Sequence, residues 1–202
     1  MKKLLKIFFL TFLFFQLFTD IGSGQSLLEK VKNKFNSIKD FSADFVQQTN
    51  GNINLKGKIK FKQKDKLRIE LKNVLIVSDG KTNWSYNKKR NKIIISSIDE
   101  ENPSVFSLRK LIEEYPRYSN VSEKKEKNTF ILKIEPKKDS GLNFNYAVLY
   151  FNTHYQIKKI IVEGTGYGIL RIVFSNYKEN NGYNDSIFKI IPSKGTETID
   201  LR

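Results

Sequence analysis

Ile53-Asn54-Leu55-Lys56-Gly57-Lys58-Ile59-Lys60-Phe61-Lys62 alternates without a break. Ile53, Leu55, Gly57, Ile59 and Phe61 fall on one side; Asn54 and the lysines fall on the other. A strand with one apolar and one wet face belongs to an antiparallel sheet whose two faces differ. The same period of two runs outward in both directions. Upstream, Phe41, Ala43 and Phe45 alternate with Ser42, Asp44 and Val46. Downstream, Leu67, Ile69 and Leu71 resume the pattern after a turn near Lys64-Asp65. A strand over 74–77 ends at the turn Asp79-Gly80, and strands over 81–86 and 93–98 flank the polar turn 87–91 as in a hairpin. Further strands are expected over 129–135, 143–152, 156–163, 168–177 and 187–191. Gly164, Gly166 and Gly168 form a G-x-G-x-G string between two of these. A phosphate loop needs a helix after it, and here a strand follows, so the string reads as a hairpin turn.

Two segments break the period. Ser26-Leu27-Leu28-Glu29 is a capping-box pattern ahead of an apolar stripe at Leu27, Leu28, Val31, Phe35 and Ile38, which predicts an amphipathic helix. Pro103 suits a first helical position, Val105, Leu108, Leu111, Ile112 and Tyr115 repeat at helical spacing, and Pro116 is expected to stop the run. The class is therefore mainly β (α+β): one large antiparallel sheet with two helical insertions. A sheet of this length curls or closes. Two helices cannot cover it flat, so a curved sheet with the helices over its concave face is the economical solution, and that face makes an apolar pocket.

Residues 1–24 read as an address. Lys2, Lys3 and Lys6 precede an apolar run over 7–18, and Gly22, Ser23 and Gly24 suit a cleavage site. The run is about a dozen residues, short of the ~20 that a spanning helix needs. A cleaved signal is favoured over a retained anchor, leaving one domain over 25–202 that is exported, to the periplasm in a bacterium with two membranes.

Composition excludes several functions. The 202 residues contain no Cys and one His, so a disulfide framework, thiol nucleophile, zinc ribbon, iron–sulfur cluster, lipidated Cys or His-rich metal site is out of reach. No metal and no cofactor is expected. Lys+Arg number 36 against 21 Asp+Glu, a formal net charge of +15. Such a surface suits nucleic acid, anionic lipid or acidic polymer, yet Lys, Asn and Ile are abundant throughout, as coding bias would make them. No Arg-rich helix or aromatic–Gly signature points to nucleic acid. His154 beside Asn152 and Tyr155 is a surface residue, since no G-x-S-x-G elbow accompanies it. Asp99, Glu100, Glu101, Glu113 and Glu114 are charge runs on solvated faces rather than partners across a cleft. The apolar inventory is more telling, with 16 Phe, 9 Tyr and one Trp. The stretch 144–151 is apolar on both sides. It is either a two-sided core strand or part of a concave face that holds an acyl chain, where each buried CH₂ contributes roughly 0.8 kcal/mol.

Four blocks, in order over nearly all of the mature chain, resemble the LolA family. They are Leu28…Phe35…Ile38-Lys39-Asp40-Phe41-Ser42-Ala43-Asp44-Phe45-Val46-Gln47, similar to a helix followed by S-A-x-F-x-Q; Gly57-Lys58-Ile59-Lys60-Phe61 with Lys66-Leu67-Arg68-Ile69-Glu70-Leu71; Val77-Ser78-Asp79-Gly80-Lys81-Thr82-Asn83-Trp84-Ser85-Tyr86, similar to V-S-D-G-K-T-x-W-x-Y; and Phe188-Lys189-Ile190-Ile191-Pro192-Ser193-Lys194-Gly195, similar to F-x-F-x-P-x-x-G. The resemblance implies an unclosed, strongly curved antiparallel barrel lidded by helices. It also implies a non-enzymatic periplasmic chaperone that shelters lipoprotein acyl chains. Cargo would come from an inner-membrane ATP-driven transporter and pass to an outer-membrane acceptor, with no nucleic-acid partner and a monomeric carrier. By alternation, Ile59, Phe61, Leu67, Ile69 and Leu71 share the lipid-facing side, with Trp84 or Tyr86 nearby. Leu108, Leu111 and Ile112 belong to the lid. The family shows Arg-Pro after its second strand block, and its Arg holds the lid by hydrogen bonds. Gln63-Lys64 stands there instead, which makes Gln63 an uncharged and weaker lid-lock candidate. An envelope sensor or regulator on the same fold, a carrier of another lipid and an exported hydrolase are the alternatives.

Overall fold

The computed structural model of the chain describes residues 25–97, 108–164 and 168–202. The expected leader, Pro103, Val105 and Gly166 lie outside them. Helix α1 (Leu27–Ser37) comes first, then β1 (Asp40–Thr49), β2 (Asn52–Lys62), β3 (Lys66–Leu71), β4 (Val74–Ser78), β5 (Thr82–Asn87) and β6 (Lys92–Ser97). A short helical segment over 108–118 follows. It leads into β7 (Ser119–Glu126), β8 (Thr129–Pro136), β9 (Phe144–Phe151), β10 (Ile157–Gly164), β11 (Gly168–Glu179) and β12 (Glu197–Asp200). All twelve strands form one sheet in the order β12-β6-β5-β4-β3-β2-β1-β11-β10-β9-β8-β7. Two antiparallel meanders, β2–β6 and β7–β11, are thus joined through β1, which pairs with both β2 and β11. Only β12 runs parallel to its neighbour. Strands β7 and β12 stand at opposite ends of the order, so the sheet is unclosed.

The sheet curls around α1. Ile69 on β3 and Leu132 on β8 are six strand positions apart, roughly 29 Å in a flat sheet. Both nevertheless belong to one buried cluster with Val31 and Phe35 of α1, a helix whose rise over its length is only about 16 Å. Gly57 helps the strands approach. A Cβ there would meet the Glu70 carbonyl oxygen at 2.5 Å, Leu71 Cδ2 at 2.8 Å and Phe45 Cε1 at 3.1 Å.

The outer face of β4–β6 carries a second, smaller core. Val77, Trp84, Ile93 and Ile95 pack there under Phe188, with Leu75, Tyr86, Tyr183, Ile187 and Ile190 at its margin. The covering segment follows β11 and is pinned at its start by the buried Asp40 carboxylate. That carboxylate accepts hydrogen bonds from the backbone N–H groups of Asn181 (2.6 Å), Gly182 (3.1 Å) and Tyr183 (3.2 Å). Further along, the Lys62 and Lys66 ammonium groups each hold Asp185 at 2.6 Å, and the Arg68 guanidinium donates to the Ile187 carbonyl.

Several expectations need correction. The 187–191 strand is absent: Asp185–Phe188 is a 3-10 turn and the chain after it is irregular. Its apolar side chains are used to cover a sheet face, not to extend an edge. Strands β7 and β12 carry no apolar alternation and were not expected. β7 is a lysine-bearing edge strand, the charged composition that guards a free edge. Pro116 does not stop helical backbone either. A π-helical turn at Lys110–Glu114 runs into a 3-10 turn at Tyr115–Tyr118, with Pro116 in its first positions, where a missing N–H costs nothing. Gly164 and Gly168, the described ends of the glycine string, pair with each other in the antiparallel β10–β11 ladder, as the hairpin reading expects.

Two outcomes test this architecture. Phe188→Ala should cost about 3–5 kcal/mol in urea denaturation and shift Trp84 emission to the red, because the ring it removes is fully buried in the outer core. The Lys62 and Lys66 hydrogen bonds hold the Asp185 carboxyl down at about 2. A depressed carboxyl stabilises above its unfolded value and loses that contribution as pH falls through its folded value. Wild type should therefore melt higher than Asp185→Asn near pH 6, and the two should converge as pH falls toward 2.

Candidate functional site

The inner face is read directly from the register. Phe41, Ala43 and Phe45 of β1 lie opposite Phe61, Ile59 and Gly57 of β2. Those three in turn lie opposite Leu67, Ile69 and Leu71 of β3. The structure thus brings Ile59, Phe61, Leu67, Ile69 and Leu71 onto one face. Ile59, Phe61 and Ile69 are buried, and Leu67 and Leu71 are partly buried against them. On the other meander, Leu170, Ile172 and Phe174 of β11 continue the same face toward Ile160 and Val162 of β10 and Leu149 of β9. Leu132 and Ile134 of β8 follow.

Trp84 and Tyr86 are not on that face, which corrects their expected place in the cavity. Ile69 pairs with Ile76, and Ile76 with Ser85, so Ser85 faces inward. Trp84 pairs with Val77 and Tyr86 with Leu75, and both belong to the outer core. The motif around them builds a hairpin. Asp79 Oδ1 accepts from the Lys81 and Thr82 N–H groups, Ser78 Oγ accepts from the Gly80 N–H, and Gly80 sits at φ +94°. The expectation of two inward aromatics failed because they follow a turn, and alternation is not counted reliably across turns.

The lid is α1 with the segment 108–118. Leu108, Leu111 and Ile112 are all buried in the same cluster as Val31 and Phe35. Side chains from two distant strands fasten α1 at its ends. At the N-terminus, the Glu123 carboxylate of β7 accepts from the Leu27 and Leu28 N–H groups at 2.9 and 3.0 Å, and Ser26 Oγ accepts from Glu29 at 3.1 Å. A carboxylate there also complements the positive end of the helix. At the C-terminus, Gln63 Nε2 donates toward the carbonyls of Phe35 (3.4 Å), Asn36 (3.3 Å) and Ile38 (2.9 Å). The Phe35 carbonyl also accepts from the Ile38 N–H at 3.3 Å, and the Gln63 amide supplies a further donor where the helix runs out of its own N–H groups.

Gln63 also reaches the second lid element. Its Oε1 accepts from Arg109 Nη2 at 3.3 Å. Arg109 Nε donates to Asp65 at 2.7 Å, its Nη1 to Glu113 at 3.1 Å, and its guanidinium lies 6.0 Å from the Phe35 ring centroid. Burial lowers the Arg109 pKa, while the hydrogen bond and charge of Asp65, with Glu113, raise it; the balance is upward, so the group stays charged. The positive charge at this junction therefore sits on the lid, and the strand supplies the neutral amide. Neither Arg109 nor Glu123 was expected. Arg109 lies among apolar helix positions, and Glu123 lies on a strand with no sequence signature.

Two buried polar atoms point to unmet bonding capacity. Gln47 Oε1, on the inner face opposite Ile172 and Leu55, and Ser119 Oγ have no hydrogen-bond partner among the described residues. His154 is exposed in the β9–β10 turn, its backbone N–H bonded to Asn152. Among the described residues no cluster of His, Cys, Asp or Glu could hold a metal ion.

The chain is thus a curled, unclosed antiparallel sheet whose apolar inner face is covered by two helical elements. The family model for outer membrane lipoprotein carrier protein LolA matches residues 36–191, and the chain belongs to that family. It is 27% identical over 204 residues to the uncharacterized protein MJ0687 of Methanocaldococcus jannaschii, an alignment covering 96% of this chain and 59% of that protein. The chain thus spans little more than half the length of this relative. Among solved structures, an uncharacterized conserved protein from Thermus thermophilus superposes with a TM-score of 0.56 at 13% identity, over 86% of this chain and 96% of that one. The LolA superfamily protein NE2245 from Nitrosomonas europaea superposes with a TM-score of 0.42 at 10% identity, over 82% and 99%.

Gln63→Leu should remove the side-chain donor to the carbonyls at the end of α1, the Ile38 carbonyl above all, at a cost of about 1–3 kcal/mol. Its signature should be local: amide exchange should accelerate in α1 more than in β9 or β10. Uniform acceleration would mean that Gln63 supports the whole fold and not the lid.

Proposed function

We propose that the chain carries lipid-modified proteins, sheltering their acyl chains between the inner face and the lid. The observation that supports this reading most is the continuity of the inner face. Buried aliphatic and aromatic side chains run from β3 through β1 to β8 with no charged residue among them in the central cluster. In the closed form the lid's own Val31, Phe35, Leu108, Leu111 and Ile112 occupy that face. An acyl chain would replace these contacts with equivalent apolar ones, and exchange requires the polar ties of the lid to part: the Gln63–Arg109 junction, the Arg109–Asp65 ion pair and the α1 end caps from Gln63 and Glu123. The unpartnered Gln47 Oε1 offers an acceptor for an amide N–H of the cargo's lipidated end. The reading includes export to the periplasm, receipt from an ATP-driven transporter and delivery to an outer-membrane acceptor. Binding and release suffice for this role, with no catalytic step.

The test is titration of the purified chain with a triacylated lipopeptide and with its unacylated peptide, followed by native mass spectrometry and by displacement of a fluorescent fatty acid. Saturable one-to-one binding of the acylated form alone is expected. Leu67→Glu and Ile69→Glu should each weaken it roughly tenfold or more, since a carboxylate would be buried against the chain. The milder Leu71→Ser covers the case where either fails to fold. Equal affinity for both peptides would overturn the reading. Gln47→Leu should leave the empty protein as stable or slightly more so, while weakening the lipopeptide more than a free fatty acid.

A further inference from the structure

The outer face of the sheet is covered unevenly. Over β4–β6 the C-terminal segment buries it. Over β1 and β8–β11 nothing packs on it among the described residues, although its composition is far from an ordinary wet face. One row across the strands reads Ile131, Tyr150, Lys159, Val173, Val46 and Lys56. The next row reads Lys133, Val148, Ile161, Arg171 and Gln48. Aliphatic side chains and cations are thus interspersed across the face. Val173 and the adjoining Ile169 are each 41% exposed.

Two of the cations lie against aromatic rings. Lys159 Nζ lies 3.6 Å from the Tyr150 ring centroid and Lys133 Nζ 5.6 Å from that of Tyr146. Lys133 also bridges Glu135 at 2.7 Å. Lys56, Lys159 and Arg171 form no ion pair among the described residues. Acids share the face: Glu163 accepts a hydrogen bond from Asn145, Glu135 bridges Lys133, and Asp44 of β1 accepts from Asn176 and lies 3.8 Å from the Lys58 ammonium.

We propose that this outer face docks on the anionic headgroup layer of a lipid bilayer. Tyrosine rings and aliphatic side chains seat at the water–lipid boundary, and Lys and Arg reach past them to phosphates. A hydrophilic polyanion would leave the aliphatic positions unused. A second copy of the chain would set cation against cation. Burial and the nearby Arg171 lower the Lys159 pKa, a penalty that a bound phosphate relieves. The surface lies on the opposite side of the sheet from the lid, so docking leaves the inner face and its helices unobstructed.

The experiment is sedimentation of the chain with vesicles of phosphatidylglycerol and phosphatidylcholine, and with phosphatidylcholine alone. Binding to the anionic vesicles only is expected. The triple variant Lys56→Gln, Lys159→Gln, Arg171→Gln should lower partitioning on the order of 100-fold, from about one kcal/mol per cation. The triple variant Lys88→Gln, Lys89→Gln, Arg90→Gln removes the same charge from the exposed β5–β6 turn and should leave it within about twofold. Equal loss in both would mean that net charge alone attracts the protein, overturning the proposal. The charge-neutral Val148→Thr, Ile161→Thr, Val173→Thr variant should also weaken binding; an unchanged value overturns the apolar half of the inference. No sedimentation of wild type, or a concentration-dependent dimer broken by the first triple variant, would likewise refute it. The chain has no native Cys, so a fluorophore on Val173→Cys reports burial at this position directly. Circular dichroism of each variant separates lost docking from lost folding, and lipopeptide uptake is measured independently.

Discussion

One strut holds the curl. Helix α1 is tied at its first turn to β7 by Glu123 and at its last carbonyls to the end of β2 by Gln63. These strands lie six positions apart in the sheet. Twist alone curls a sheet of this size, but it does not choose how far. A short rod fixed between distant strands does, and Val31 and Phe35 beneath it knit the two meanders into a single core. Capping here is tertiary structure: each cap satisfies backbone groups that any helix leaves unpaired and joins two parts of the sheet in doing so.

The outer surface divides the labour differently. Asp40 opens β1 and is buried, yet its carboxylate is saturated by backbone N–H groups of the C-terminal segment. A buried carboxylate without such donors would be strongly destabilising. With them it fixes where the segment leaves β11 and sends Phe188 onto the outer core. The side chains over β4–β6 therefore belong to a closed interior, while those over β8–β11 remain a surface.

Strand positions were legible in the sequence wherever the two faces had different neighbours. Lys58-Ile59-Lys60-Phe61-Lys62 announces its inner side because the inner face packs against apolar neighbours and the outside is wet. The hairpins around Asp79-Gly80 and 87–91 were equally plain from turn chemistry. β7 was not, because an edge strand with one partner and one charged face has no alternation to display. The segment over 187–191 misled for the opposite reason: it is apolar because it covers a sheet, and composition does not distinguish covering from pairing. In the candidate site, the five aliphatic and aromatic positions of β2 and β3 followed from period two. Trp84 and Tyr86 lay beyond two further turns, where a slip of one residue exchanges faces. The partnership of Gln63 with Arg109 was hidden because it spans 46 residues and depends on the strut's placement.

A closed barrel has its radius set by strand number and shear, and its lumen is a fixed quantity. Here β7 and β12 are both edges, and no ladder joins them. No interstrand ladder therefore fixes the separation of the two edges. That separation is held instead by the end caps of α1 from Glu123 and Gln63, by the Gln63–Arg109 junction and by the apolar area under the lid. The dimension of such an interior is set by side chains rather than by backbone pairing, so substitutions under the lid can reset it while every strand keeps its register.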